Sequence, residues 1–163
     1  GLVFPPLIEI IIRGCQTNLP PCLVDGSSHL RGMRLRTSRV LPFTMAMFVP
    51  AACATGRTVL TGAEELRVKE SDRIQAMVDG LLALGVDVRG TDDGAIIEGG
   101  PIGAGLDNAS INCHHDHRIA MAFAIASAQA QCDIEIQDCD NIVTSFPNFV
   151  ELACQLGLSL ELA

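Results

Sequence analysis

The chain has 163 residues, of which 48% are hydrophobic and 18% charged, so it is long and apolar enough to bury the core of one domain and is not disordered. Its net charge of −8 argues against a nucleic-acid-binding surface, and its apolar runs are too short for a membrane span. Seven cysteines, an odd number without a CxxC pair, fit free thiols in a reducing cytoplasm.

The first elements along the chain are a strand and an apolar helix. Residues 7–12 (LIEIII) predict a buried strand, and residues 13–41 are predicted to be irregular. The apolar run Phe43–Ala54 predicts a buried helix, with Pro42 in its first turn and Pro50 kinking or breaking it. The irregular segment has arginines that fit either the rim of a solvated strand or loop, or a phosphate-facing edge: Arg31, Arg34, Arg36 and Arg39.

A strand, a helix and a hairpin are predicted next. RTVLTG at 57–62 predicts a short strand, and apolar residues at helical spacing predict an amphipathic helix over 72–84. Ser71 is the expected N-cap of that helix, with Glu70 or Asp72 as alternatives. The segments VDVRG and AIIEGG, joined by the turn residues TDDG, predict a β-hairpin.

The second half of the chain repeats this order. Asp116 is expected to cap a buried helix over 117–129, and CDIEIQD predicts the strand that follows it. Ser145 is expected to cap a further helix with Pro147 in its first turn, and LSLEL predicts the last strand. LLALGVDV matches ACQLGLSL 72 residues later. A repeat of this length indicates a βαβαβ-type duplication with α/β or α+β layers, in which one helix of each unit is wholly buried and the other half exposed.

Charges concentrate in LRVKESDR at 66–73, which contains Lys69, the only lysine of the chain. The stretch ends where the amphipathic helix begins, so unpaired backbone N–H groups and the positive end of the helix dipole lie beside Lys69 and Arg73. Such a site suits a phosphate or a carboxylate, with Glu70 placed for proton transfer. The same charges also fit a solvated helix start with local ion pairs.

A second cationic helix start lies in HHDHR at 114–118. An unpaired arginine is costly to bury, so Arg118 is expected to face a cleft, a carboxylate or a ligand anion, and a structural Arg118–Asp pair is the alternative. His117 is expected to donate to an anion or to cap the helix, with a purely structural role as the alternative. Packing of the repeats around one core predicts that the two helix starts converge on one anion. No metal site is expected, because adjacent residues such as Cys113 and His114 do not easily converge on one tetrahedral ion.

The segments LRVKESDRI, DHRIAMAFAIA and TSFPNFVELACQLG, in this order and spacing, resemble the 5-enolpyruvylshikimate-3-phosphate synthase family over most of residues 43–163. The resemblance implies a fold of two similar domains, each of repeated βαβαββ units with buried helices and sheets outside. The chain would be most of the C-terminal domain. Within it, about 1–41 would be the remnant of a first unit, about 42–112 a second unit and about 113–163 a third.

The resemblance also implies a reaction, in which enolpyruvyl moves from phosphoenolpyruvate to the 5-hydroxyl of shikimate 3-phosphate and phosphate is released. No cofactor and no metal are implied, and glyphosate is implied as an inhibitor at the phosphoenolpyruvate site. By resemblance, Lys69 contacts phosphoenolpyruvate and takes part in catalysis with Glu70, which transfers a proton at the methylene carbon. Arg73 and Arg118 would hold phosphoenolpyruvate or glyphosate, with Asp116 and His117 positioning Arg118.

One position departs from the family pattern. The family's aspartate at the start of the buried helix falls on Pro42, and no acidic residue occurs from Gly26 to Ala63. We therefore expect weak binding without turnover by the chain alone, and activity only with a complementary N-terminal domain. Two other functions stay open: a relative that transfers enolpyruvyl to a UDP-sugar, which LRVKESDR with DHR disfavours, and a non-catalytic anion-binding or assembly domain.

Overall fold

The computed structural model describes residues 10–12, 34–36 and 41–162 of the chain. The strands within these ranges are β1 (Ile10–Ile12), β2 (Arg34–Arg36), β3 (Gly56–Thr61), β4 (Asp87–Thr91), β5 (Gly94–Gly99), β6 (Asn108–Asn112), β7 (Asp133–Gln137) and β8 (Leu160–Leu162). The α-helices are α1 (Leu41–Cys53), α2 (Arg73–Ala83), α3 (His117–Ala126), α4 (Asn141–Ser145) and α5 (Phe149–Gln155), and a 3₁₀ helix spans Glu64–Val68.

The strands form two four-stranded sheets with the same internal arrangement. One sheet has the order β2-β3-β5-β4 and the other β6-β7-β1-β8. In each sheet the first two strands are parallel and connected through a helix, α1 or α3, while the remaining pairs are antiparallel. The predicted α/β class is confirmed, and the division into units near 42 and 113 stays a prediction.

The helices and the inner faces of both sheets share one hydrophobic core. Its completely buried side chains come from α1, α2, α3 and from strands of both sheets: Phe48, Ile74, Leu81, Phe123, Leu60, Ile97, Ile134 and Ile136. Buried residues alternate with exposed ones along β6 and with half-buried ones along β7, so each strand has one face toward this core. Within the described residues, none of the helices has both the length and the apolar character that crossing a membrane requires.

Helices α1 and α3 are not wholly buried, which corrects the prediction. Ala46 and Ile125 are exposed on neighbouring faces of the two helices. Between them lies a groove of about 320 Å³ whose lining is almost entirely apolar apart from Arg118. The other lining residues are Met45, Ala46, Val49, Pro50, Met121, Ala122 and Ile125. An all-round apolar sequence therefore predicted burial that these two helix faces do not have.

Helix α1 continues through Pro50 to Cys53, so the helix does not break at this proline, and the alternative of a kink stays a prediction. Proline removes the hydrogen bond to the carbonyl four residues earlier, which belongs to Ala46. Ala46 itself is exposed, so the missing bond lies on the side of α1 that faces away from the core. Pro42 lies in the first turn of α1, as predicted.

Other helix boundaries differ from the prediction where tertiary contacts or a following proline determine them. Ser145 ends α4 instead of capping a helix. Phe146 leaves helical geometry because it precedes Pro147, and the next helix begins at Phe149. Helix α3 ends at Ala126 rather than at 129. The predicted strands over 57–62, 132–138 and 158–162 and the hairpin of β4 and β5 are confirmed.

One strand was not predicted, and a second lies in the segment where a solvated strand or loop was one of the alternatives. Strand β6 has the sequence NASIN, along which exposed and buried residues alternate. Strand β2 covers Arg34–Arg36 inside the segment predicted to be irregular, and it pairs with β3. Arg34 is exposed, as on a solvated rim. Arg31, Arg39 and the predicted strand residues 7–9 lie outside the described part of the chain.

Gly80 sets the distance between α2 and α3, because a Cβ atom there would lie 2.2 Å from Cζ of Phe123. Phe123 is completely buried, so its ring has little room to move aside. We expect Gly80→Ala to lower the free energy of unfolding by about 1–3 kcal/mol through overpacking. Helix propensity alone predicts the opposite sign, a gain of about 1 kcal/mol.

Urea unfolding of the two proteins measures this difference. A double variant with Phe123→Leu is the control, because shortening the side chain removes the clash and should restore part of the loss. A Gly80→Ala variant more stable than the parent chain would show that the two helices separate without cost.

Candidate active site

The charged stretch at 66–73 runs from the 3₁₀ helix to the first residue of α2. Asp72 is the N-cap of α2, and its carboxylate accepts a hydrogen bond from the backbone N–H of Gln75 at 3.0 Å. Of the three predicted caps, the structure therefore uses Asp72 and leaves Ser71 and Glu70 for other contacts. The helix itself matches the predicted range closely.

Arg67 anchors this stretch to the hairpin of β4 and β5. Its guanidinium donates to the backbone carbonyls of Thr91 and Asp92, and its Nη1 lies 2.7 Å from Oδ2 of Asp72. These contacts are structural and hold the loop in place. Lys69 is exposed, and within the described residues its ammonium group has no hydrogen-bond or ion-pair partner.

A buried ion pair joins the start of α2 to the start of α3. Nε of Arg73 lies 2.6 Å from Oδ2 of Asp116, and the side chains are only 6% and 0% exposed, respectively. Ser71 donates its hydroxyl to the same Oδ2 at 3.2 Å. Glu70, whose side chain is 63% exposed, forms an ion pair with Nη2 of Arg73. The two helix starts that the sequence predicts to converge therefore lie side by side.

Asp116 is the N-cap of α3, as predicted, and accepts the backbone N–H of Arg118 on Oδ1 at 3.0 Å. Burial alone would raise the pKa of this carboxyl group. The hydrogen bonds from Arg73, the backbone of Arg118 and Ser71, together with the positive charge of Arg73, outweigh burial and lower the pKa below its ordinary value. The carboxylate is therefore charged at neutral pH.

Arg118 projects from the first turn of α3 and is exposed at the polar end of the apolar groove. Its guanidinium makes no ion pair within the part of the chain that the structure describes, so the predicted alternative of an Arg118–Asp pair is wrong there. Asp116 holds the backbone of Arg118 and pairs with Arg73 instead. His117 lies beside them, half-buried, as the first residue of α3.

The loop before α3 has an unusual backbone. His114 and His115 adopt positive φ angles of 51° and 55°, a left-handed conformation that side chains with a Cβ atom disfavour. Asn112 accepts the backbone N–H of His114 at 2.7 Å, and Asn141 donates to the carbonyl of His115. These two side-chain bonds hold the strained turn that delivers Asp116 to its cap position.

We expect His115→Gly to raise the free energy of unfolding by roughly 0.5–1 kcal/mol, because glycine adopts this φ without strain. Chemical denaturation measures the change. His117→Gly is the matched control, since this histidine lies in α3 and glycine there should lower stability by some tenths of a kcal/mol. Equal losses for both variants would show that the left-handed turn stores no strain.

The cysteines and histidines near this loop do not form a metal site in the described residues. No group of three His, Cys, Asp or Glu side chains converges there, and the described cysteines are free thiols: Cys53, Cys113, Cys132, Cys139 and Cys154. Burial, followed by the proximity of Cys139, raises the pKa of Cys113 well above its ordinary value, so this thiol stays protonated.

Comparison with known proteins identifies the family. The sequence model of EPSP synthase (3-phosphoshikimate 1-carboxyvinyltransferase) matches residues 17–152. The chain belongs to the EPSP synthase family. A 3-phosphoshikimate 1-carboxyvinyltransferase from Methylococcus capsulatus is 56% identical over 83% of this chain, and one from Vesicomyosocius okutanii is 50% identical over 96%. These matches cover 31% and 39% of the two relatives, so the chain spans about a third of their length.

Solved structures support the fold as well. The EPSP synthase from Acinetobacter baumannii superimposes with a TM-score of 0.75 and 46% sequence identity, over 86% of this chain and 33% of that chain. The enolpyruvyl transferase NikO from Streptomyces tendae superimposes with a TM-score of 0.64 at 16% identity, which shows the fold alone.

Sequence reasoning named the residues of this site but not all of the links between them. The structure joins Glu70, Arg73 and Asp116 through direct ion pairs and places Lys69 and Arg118 on the same two helix starts. Ser71 was considered only as a helix cap, although its hydroxyl contacts a carboxylate 45 residues away. A serine between two charged residues at a helix start was the only signal for this contact.

Proposed function

We propose that the chain is the C-terminal part of an EPSP synthase, which transfers enolpyruvyl from phosphoenolpyruvate to the 5-hydroxyl of shikimate 3-phosphate. The observation that supports this most directly is the Arg73–Asp116 ion pair, because it sets the starts of α2 and α3 side by side. Two helix N-termini with Lys69, Arg73 and Arg118 form a concentrated positive site for an anion that bears phosphate and carboxylate groups.

Two parts of the reaction have candidate groups at this site, namely proton transfer at the methylene carbon and neutralisation of charge on the phosphate. The hydroxyl adds to C2 of phosphoenolpyruvate while the methylene carbon takes a proton. Loss of phosphate and of a proton from that carbon then restores the double bond. Glu70 is the proposed proton donor and acceptor at this carbon, since its exposed carboxylate is held by Arg73. Lys69 is the second catalytic residue and neutralises charge on the phosphate.

The arginines are proposed to hold phosphoenolpyruvate, or glyphosate in its place. Arg118 is exposed and has no carboxylate partner among the described residues. Nη1 of Arg73 donates no hydrogen bond within the same part of the chain, so it is the donor left for the ligand carboxylate. Asp116 and His117 position Arg118, Asp116 through its cap bond. No metal and no organic cofactor takes part in this scheme.

The rest of the site is proposed to come from an N-terminal domain that binds shikimate 3-phosphate. This chain spans about a third of the length of its curated relatives, and one part of a site shared by two domains makes few simultaneous contacts with a ligand. We therefore propose weak binding and no turnover by the chain alone. The reaction needs only free metabolites, which fits the cytoplasm, where the five described thiols stay reduced.

A second candidate function follows from Pro42, which stands where the family has an aspartate near the target hydroxyl. Without that base, the chain would bind phosphoenolpyruvate without turnover, as a non-catalytic anion-binding domain. The sequence identity of the chain to 3-phosphoshikimate 1-carboxyvinyltransferases favours transfer to shikimate 3-phosphate over transfer to a UDP-sugar.

The test measures phosphate release from phosphoenolpyruvate and shikimate 3-phosphate. The chain is assayed alone and mixed with the separately produced N-terminal part of the Methylococcus capsulatus relative, both with Pro42 and with Pro42→Asp. Release in the mixture, inhibited by glyphosate, supports the proposed enzyme. Release only with Pro42→Asp assigns the chain to the non-catalytic candidate. No release from any mixture of associated halves overturns the proposed activity.

A further inference from the structure

The carboxylate of Asp116 accepts hydrogen bonds from donors at the starts of both α2 and α3. Its Oδ2 accepts Nε of Arg73 at 2.6 Å and the hydroxyl of Ser71 at 3.2 Å. Its Oδ1 accepts the backbone N–H of Arg118 at 3.0 Å. The side chain of Asp116 is completely buried, so water does not compete for these bonds. One carboxylate therefore fixes a side chain on α2 and the backbone at the start of α3.

Contacts within the described residues hold the guanidinium of Arg73 along one edge only. Nε faces Asp116, and Nη2 lies between Asp116 and Glu70. Nη1, on the other edge, has no hydrogen-bond partner among the residues that the structure describes. Because a guanidinium is planar and rigid, fixing the Nε edge also fixes the direction of Nη1 and the place of the Glu70 carboxylate.

We propose that Ser71 and Asp116 are positioning residues for Arg73 and, through it, for Glu70. The inference rests on the proposed function, because it concerns the same anion site. Arg73 then has two roles, because its Nε edge binds Asp116 and joins the two helix starts, while Nη1 contacts the ligand. The Ser71 hydroxyl supplies the second donor to Oδ2, and without it the carboxylate oxygen that faces Nε of Arg73 is held less firmly in place.

This arrangement predicts an effect on ligand affinity from a residue that does not touch the ligand. Ser71→Ala removes a hydrogen bond to a charged group, and we expect it to weaken phosphoenolpyruvate affinity about tenfold. Ser71→Thr keeps the hydroxyl and should stay within about twofold of the parent chain. Ser110→Ala is the matched control, because Ser110 is an exposed strand serine without a side-chain hydrogen bond among the described residues.

Two measurements test the inference. Calorimetric titration with phosphoenolpyruvate gives the affinity, for the chain alone and for its mixture with the N-terminal part of the relative. Nuclear magnetic resonance of the arginine Nε–H groups reports on the positioning itself. In the parent chain the Arg73 Nε–H should exchange with solvent slowly, unlike that of the exposed Arg57, and Ser71→Ala should speed this exchange at least about tenfold.

The results of these two measurements distinguish failure of the inference from failure of the proposed function. Weaker affinity and faster exchange in Ser71→Ala, both restored in Ser71→Thr, support the inference. Unchanged affinity in a folded Ser71→Ala overturns it and leaves the proposed function standing. Absence of phosphoenolpyruvate binding to the parent chain and to the mixture overturns the proposed function together with the inference that rests on it. Asp116→Asn, studied at low temperature where its folded fraction is checked, serves as a second variant with the same expected direction.

Discussion

We expect Asp116→Asn to lower the free energy of unfolding by about 3–5 kcal/mol, because it leaves the buried guanidinium of Arg73 without its main counter-charge. The side chains of Asp116 and Arg73 are 0% and 6% exposed, so water cannot replace the lost partner. The Asn side chain keeps one acceptor oxygen, but its NH2 group then faces either the Arg73 guanidinium or the backbone N–H of Arg118, so a lost hydrogen bond adds to the lost charge. Denaturant unfolding of both proteins at pH 7 measures the difference.

The same variant should change how stability depends on pH. The folded-state pKa of Asp116 lies below the value of about 3.9 for an unfolded aspartate. The ion pair therefore contributes fully above that value, and the contribution is lost as the pH falls through the folded-state pKa. The gap between the parent chain and Asp116→Asn should shrink below pH 4. Glu98→Gln, which breaks the exposed pair with Arg57, is the control and should cost under about 1 kcal/mol.

A gap that stays constant from pH 7 down to the acid transition would contradict this explanation. It would mean that the substitution acts through packing or through the helix cap rather than through the charge of the carboxylate. A cost as small as that of Glu98→Gln would mean that Glu70, the second carboxylate at Arg73, compensates for the loss.

The parts of the fold that local sequence determines could be predicted. Helix α2 has apolar residues at helical spacing, and Asp116 is an aspartate directly before an apolar helix, so both were found from periodicity and capping rules. Strand β6 was missed because it forms only by pairing with β7 across α3. The choice of Asp72 over Ser71 as a cap was not predictable either, since the Ser71 hydroxyl has a tertiary partner.

The candidate site shows the same limit. The charge pattern and the family resemblance both pointed to Lys69, Glu70 and Arg118. The internal repeat suggested that two helix starts converge. Repetition contains no distances, so the link between them, an arginine buried against Asp116, required the structure. Burial of α1 and α3 was overestimated for a related reason. An apolar helix face can border a groove as well as a core, and sequence does not distinguish the two.

We expect Glu70→Gln to lower phosphate release by the reconstituted enzyme about 10²–10⁴-fold, which is the usual contribution of a general acid or base. Glutamine keeps the size and one hydrogen-bond acceptor for Arg73 but cannot exchange a proton with the methylene carbon. The affinity for phosphoenolpyruvate should change little, so the loss should appear in kcat rather than in KM. Steady-state assays of the chain mixed with the N-terminal part of the Methylococcus capsulatus relative measure both constants.

Glu65→Gln is the matched control, because Glu65 is an exposed carboxylate on the preceding 3₁₀ helix without a partner among the described residues. It should leave kcat within about twofold of the parent chain. Urea unfolding should show similar stability for both variants, since the Glu70 side chain is 63% exposed and its pair with Arg73 contributes little. If Glu70→Gln instead raises KM with kcat unchanged, Glu70 helps to bind the substrate through Arg73 and another group moves the proton.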